Sequence, residues 1–167
     1  TAKGRLDRRI RLKRLSDEDG GDRLENFCFR IPGLLIGDSR KCVVNVPGPF
    51  FPHTFIPAGA LYDSLKGRDY HLHSAPDAGF GLVAIGNSSR KTTVSSWMET
   101  GGEVAYHTHL ISDGQRITLR HIVHRAYRLD RLQEWVSDLQ RIEITTSLSE
   151  ALSLYRDMVQ RSFPSEL

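Results

Sequence analysis

The stretch that decides how this chain folds is TTVSSWMETGGEVAYHTHLISDGQRITLRHIVHRAYRL, residues 92–129. Polar and apolar residues alternate through most of it, which is the period of a half-buried β-strand. Two glycine-bearing dipeptides interrupt the pattern. Asp113-Gly114 tolerates the positive φ angles of a two-residue hairpin turn, and Gly101-Gly102 offers the same freedom. Read this way, the stretch is a three-stranded antiparallel meander whose register follows from its turns. Ser112 then faces Gln115, His109 faces Thr118, His107 faces Arg120, Tyr106 faces His121 and Glu103 faces His124. The Gly-Gly turn sets Met98 against Ala105, Trp97 against Tyr106 and Ser96 against His107.

Alternation sorts these residues onto two faces. One holds Trp97, Tyr106, His121, Val104, Val123, Leu110 and Ile117, which is the composition of a core. The other holds Ser96, His107 and Arg120, with Val94, His109 and Thr118 beside them and Thr100, Glu103 and His124 at one end. Opposed residues in such a ladder have Cβ atoms about 4.5–5.5 Å apart. Several imidazoles, a guanidinium and a carboxylate are therefore expected within reach of a single substrate, anion or metal ion.

Outward from this stretch, the N-terminus is crowded with Lys3, Arg5, Arg8, Arg9, Arg11, Lys13 and Arg14, interleaved with Leu6, Ile10, Leu12 and Leu15. This is either an arm that touches phosphates or an edge strand whose charges prevent sheet-to-sheet association. Leu24–Ile31 and Lys41–Val46 read as strands, separated by the turns Pro32-Gly33 and Gly37-Asp38-Ser39 around a short strand Leu34–Ile36. Phe50–Gly59, rich in aromatics and prolines, is expected to be an ordered loop over the sheet with His53 at its tip. Ala58–Lys66 reads as a short helix capped by Gly67, and Tyr70–Ser74 and Leu82–Ile85 as strands. Leu132, Trp135, Val136 and Leu139 repeat at helical spacing and predict a helix over Asp130–Gln140; Ile142–Thr145 is expected to be an edge strand. Ser147 with Glu150 forms a capping box that opens a last helix, striped by Leu148, Leu152, Tyr155 and Val159.

The 167 residues suit one domain with a real core, read as α+β: a mainly antiparallel sheet built around a three- to four-stranded meander, with two C-terminal helices packed on its Trp97, Tyr106, His121 face. A basic arm or edge strand, residues 1–16, precedes it. A first residue other than Met suggests a piece excised from something longer. A net charge of +3, from 23 basic and 20 acidic residues, is too mild to imply nucleic acid by itself. No apolar run approaches a membrane span, so no membrane partner is expected. Two isolated cysteines, Cys28 and Cys42, exclude a disulfide framework and point to a reducing, cytoplasmic setting.

Three chemistries fit the polar face. Phosphodiester cleavage needs one imidazole to take a proton, another to give one and a guanidinium to hold the phosphate. His107, His109, His124 and Glu103 are the acid–base candidates and Arg120 the clamp, with Ser96, Thr118, Arg116 and His53 as substrate contacts and RNA or single-stranded DNA as the partner. Alternatively His107 and His109, at i and i+2 on one strand, ligate a divalent metal, and His71 and His73 repeat that spacing. Gly101 with His107-Thr108-His109 resembles the opening of the first cupin motif, and Ile56-Pro57-Ala58-Gly59 is similar to part of the second, which implies a metal-binding enzyme acting on a small molecule. Tyr106–Ile111 looks like the His-hydrophobic-His strand of rolling-circle and relaxase nucleases, and that resemblance implies a tyrosine nucleophile at Tyr155. The opposing class is a non-catalytic binding or assembly module, in which the meander is an interface.

Overall fold

Inward-facing apolar residues at every second position oblige two sheets to pack face to face, and a computed structural model shows that arrangement. It describes residues 3–13, 23–34, 36–46, 54–57, 69–74, 81–99, 106–112, 116–128, 134–162 and 164. The elements are β1 (Gly4–Arg8), β2 (Arg11–Lys13), β3 (Arg23–Leu34), β4 (Cys42–Val46), β5 (Thr54–Pro57), β6 (Asp69–Ser74), β7 (Val83–Asn87), β8 (Thr92–Glu99), β9 (Tyr106–Ser112), β10 (Ile117–Arg128), β11 (Glu134–Val136), β12 (Leu139–Thr145) and α1 (Leu148–Ser162). A larger sheet runs β1-β12-β8-β7-β4-β5, a smaller one runs β3-β10-β9-β6, and β11 pairs with β2 by itself. Among the described residues all the strand pairs are antiparallel.

The core lies between the sheets. Cys42, Val44, Val83 and Ile85 of the larger sheet meet Leu110, Ile117 and Leu119 of the smaller one. Met98 meets Phe27, Phe29, Tyr106 and Val123 in the same way, with Trp135 closing the end. The residues between them along β7 and β8 face outward, and there α1 lays Tyr155 and Met158 against Leu82 and Trp97. The expected capping box is present in part. Ser147 Oγ accepts from the Glu150 N–H at 3.2 Å, and Glu150 reaches back to Thr146 N–H at 3.0 Å, one residue before the expected partner.

This architecture overturns the meander with two helices on one face. Among the described residues there is one α-helix, and β8 belongs to a different sheet from β9. No Gly-Gly hairpin therefore joins Trp97 to Tyr106: Trp97 is opposite Arg141, and Tyr106 is opposite Val123. Within the helix predicted over 130–140, the described residues, 134–140, instead form β11 and the start of β12. Trp135 alternates with exposed Glu134 and Val136 and buries its ring against Phe27 at 5.1 Å between centroids. Burial of that one indole, together with the ladder to β2, outweighs the helical spacing of its neighbours. The strand expected at 142–145 begins at Leu139 and lies between β1 and β8, so β1 takes the sheet edge.

Other boundaries shift for local reasons. β3 continues through Pro32-Gly33, where one extra residue enters the ladder between the pairs Leu119–Ile31 and Ile117–Leu34. Gly33 supplies φ +65°, so the expected turn is a β-bulge on an edge strand, a place that tolerates proline. Thr54–Pro57, expected as loop, pairs with β4. The helix expected at 58–66 lies outside the described residues. Cys28 and Cys42 are both free, and among the described residues no helix is long and apolar enough to cross a membrane.

Gly81 ties the layers together. Its N–H donates to Tyr155 Oη at 2.8 Å while its carbonyl accepts from Tyr106 Oη at 2.8 Å. A Cβ here would collide with the Tyr106 hydroxyl. Gly81→Ala is expected to cost about 1–3 kcal/mol through overpacking. Adding Tyr106→Phe should recover part of that loss, since the colliding oxygen is gone; urea denaturation of the two single variants and the double variant checks this, and strictly additive losses would contradict it.

Candidate functional site

Because Tyr106, Thr108 and Leu110 of β9 and Leu119, His121 and Val123 of β10 fill the space between the sheets, the residues alternating with them face away from it. Half-buried His107, His109, Thr118, Arg120 and Ile122 therefore share the outer face of the smaller sheet. The β9–β10 ladder closes on Ser112 and Ile117, so the connection spans residues 113–116 and the register moves by two from the expected one. A shift of two preserves faces and changes partners. Arg120 is opposite His109, and His107 is opposite Ile122.

Neighbouring strands complete two rows. Across the sheet, Arg30, Arg120, His109 and His71 occupy one set of register positions, and Cys28, Ile122, His107 and His73 the next. The His107 and His109 rings stack at 6.5 Å between centroids and 20° between planes. Local burial pushes the Cys28 thiol pKa up, and the nearby charges of Arg120 and Arg30 pull it the other way. Arg116 is exposed, its Cδ about where a Cβ on Gly33 would touch it, at the bulge beside Thr118.

Some predicted members are elsewhere. Ser96 is buried on the inner face of the larger sheet, and its Oγ lies 3.0 Å from His121 Nε2. It cannot contact a substrate on the outer face of the other sheet. His124 takes its expected place in β10, with Asn26 as its cross-strand neighbour, and its side chain lies outside the described residues; so do Glu103 and His53 entirely. Tyr155 is buried in α1, against Trp97 at 5.7 Å, with its pKa raised by that burial. It sits on the outer side of the larger sheet, with two sheets between it and His107, so it is not a nucleophile for that site.

Sequence reasoning missed Arg30 and Cys28. Their alternation with Phe27 and Phe29 marks a polar face on β3, but nothing local says that β3 pairs with β10. The basic N-terminus also resolves into structural contacts. Lys3 pairs with Glu150 at 2.5 Å, Arg5 with Asp7 at 2.5 Å and Arg11 with Glu134 at 2.9 Å. Another hollow, of about 330 Å³, is lined by Arg5, Glu99, Arg141, Met158, Arg161 and Ser162, but Arg141 there is already paired with Glu99 at 2.5 Å and Asp7 at 3.0 Å. Among the described residues, no group of three or more His, Cys, Asp or Glu is gathered to hold a metal ion.

The fully buried histidine is the opposite of a reactive one. His121 Nδ1 lies 3.0 Å from Thr108 Oγ1, and its Nε2 faces Ser96, which also accepts from Gln140 Nε2 at 3.2 Å. Arg8 Nε donates to Gln140 Oε1 at 2.8 Å, which orients that amide. Each ring nitrogen of His121 therefore meets a hydroxyl, one nitrogen donating its proton and the other accepting. Burial and then the positive charge of Arg8 lower the His121 pKa from 6.5 to about 3. Comparison with known families, curated proteins and solved structures finds no match for the chain.

The lowered pKa has a thermodynamic consequence. The unfolded chain takes up a proton at this position near pH 6.5 that the folded chain refuses until about 3, so stability falls as the pH drops through that window. The expected slope is at most about 1.4 kcal/mol per pH unit from this group. Denaturation curves collected across the window should be steeper in pH for the native protein than for His121→Gln; equal slopes would contradict the assignment.

Proposed function

We propose that the outer face of the smaller sheet binds an anionic substrate, a phosphodiester of RNA or single-stranded DNA, and promotes its cleavage by histidine acid–base chemistry. One observation carries the reading: Arg30 and Arg120 are directly opposed across β3 and β10, and neither guanidinium has a hydrogen-bonding or ion-pairing partner among the described residues. Like charges opposed in a ladder destabilise it. An anion bound between them removes that penalty and gains charge-assisted hydrogen bonds in fork geometry. His109 follows Arg120 in the same row and His107 stacks on it, so imidazoles border the place where such an anion sits.

In this reading Arg120 is the clamp, with Arg30 and Arg116 adding positive potential and Thr118 a hydroxyl. His107 and His109 supply the two proton transfers: one neutral ring takes the proton of an attacking hydroxyl, and one charged ring protonates the leaving oxygen. Two free thiols suit a reducing compartment such as the cytoplasm.

Binding of inorganic phosphate and of a short single-stranded RNA, followed by calorimetry at low salt, tests the clamp. Arg120→Ala is expected to weaken both at least about ten-fold, the loss of one charge-assisted pair. Arg9→Ala, an exposed charge on the N-terminal segment, is expected to change them less than three-fold. His107→Ala and His109→Ala should each reduce RNA cleavage at least about a hundred-fold. Binding that is indifferent to Arg120 and Arg30 sinks the anion site, and binding without cleavage sinks the chemistry alone.

A further inference from the structure

The larger sheet is open along β1, which pairs with β12 on one side and, among the described residues, with no strand on the other. Among those residues its backbone has no hydrogen-bonding partner outside the β12 ladder, so a row of N–H and C=O groups faces outward. The ladder orders its side chains. Arg5 is opposite Glu143 and Asp7 is opposite Arg141 on the outer side of the sheet, while Leu6 is opposite Ile142 on the side of Gln140 and Ser96. Leu6 is 53% exposed, more than any other large apolar side chain among the described residues.

We propose that β1 is a homodimer contact: it pairs antiparallel with β1 of a second copy of this chain, about a two-fold axis that sets Leu6 against the partner's Leu6. The sequence Arg5-Leu6-Asp7 is self-complementary in that register, since Arg5 of each copy meets the partner's Asp7. Centring the pair on Arg5 or on Asp7 instead opposes two like charges, which destabilises a ladder. With Leu6 at the centre, the row Glu143, Arg5, the partner's Asp7, the partner's Arg141 alternates in sign from end to end. Arg5 already donates to Asp7 of its own strand through Nε and Nη2, at 3.0 and 2.5 Å, and its Nη1 remains for the partner's carboxylate. On the other side, Ile142, Leu6, the partner's Leu6 and the partner's Ile142 align as an aliphatic row with neighbouring Cβ atoms about 4.5–5.5 Å apart, which takes the exposed leucine out of water. Charges that turn away an arbitrary strand thus admit one partner in one register. A strand of five residues makes a small isologous contact, so the dimer is weak and reversible. β1 belongs to the other sheet from Arg30 and Arg120, and the inference does not depend on the anion reading.

The test is sedimentation equilibrium of the untagged full chain from about 10 μM to about 1 mM, the range in which small transient contacts dissociate. A reversible monomer–dimer equilibrium is expected. Leu6→Lys, which sets two ammonium groups against each other at the two-fold axis, and Arg5→Glu, which sets carboxylate against carboxylate twice, should each weaken it at least about ten-fold. Leu154→Lys, an exposed position on α1, should leave it unchanged. Arg5→Glu mixed in equal amounts with Asp7→Lys should associate again, because an acidic strand then meets a basic one. A native chain that stays monomeric at about 1 mM overturns the self-pairing and leaves the edge to a strand of another protein. Dimerisation indifferent to Leu6→Lys and Arg5→Glu overturns it too, as does a mixture of the two folded charge variants that stays monomeric. The native chain and Leu6→Lys decide the matter even where Asp7→Lys, deprived of its pairing with Arg141, fails to fold.

Discussion

A buried hydrogen-bonded bridge fixes this molecule. His121 reaches from the smaller sheet to Ser96 of the larger one and is held from its own sheet by Thr108, while Gln140 and Arg8 extend the chain of donors to the sheet edge. An apolar interface is indifferent to small slips. A buried imidazole with both nitrogens engaged is not, because losing either partner strands a polar group away from water. Once His121 is pinned inward, alternation sends Arg120 and Ile122 outward on β10, and the ladder sends His107 and His109 outward on β9. The outer face exists because the inner one is so firmly specified.

Charge is organised on the same plan. On the outer side of the larger sheet, buried Arg141 is surrounded by Asp7, Glu99 and Glu143, so its positive charge is compensated where α1 covers it. On the outer side of the smaller sheet, Arg30 and Arg120 face each other with no such compensation among the described residues. The two exteriors of one sandwich thus differ in kind. One is closed by a helix and internally neutral, and the other presents cationic and imidazole groups.

What the sequence made legible was strand identity and face. Tyr106, Leu110, Ile117, His121 and Val123 are buried, and His107, His109, Thr118 and Arg120 are on the opposite side, because alternation is a local property and survives a register shift of two. Partnership was not legible. The β8–β9 connection reads as a hairpin, since Gly101-Gly102 permits one, yet Trp97 is better covered by Tyr155 of α1 than by a neighbour in a meander, and Ser96 finds its partner across the core. The 130–140 segment failed for a related reason: the spacing of Leu132, Trp135, Val136 and Leu139 suits a helix, and only contact with Phe27 and β2, both distant in sequence, selects strands. Likewise the pairing of His71-Leu72-His73 with His107-Thr108-His109 is set by the order of strands in the sheet, which no local signal encodes.

The bridge between the sheets is open to one direct measurement, a nuclear Overhauser spectrum of the isotope-labelled protein at neutral pH. Contacts are expected from the His121 ring to the Ser96 β protons, together with cross-strand contacts joining Trp97 to Arg141. Contacts joining Trp97 to Tyr106 as hairpin neighbours, together with a His121 ring remote from Ser96, would contradict it.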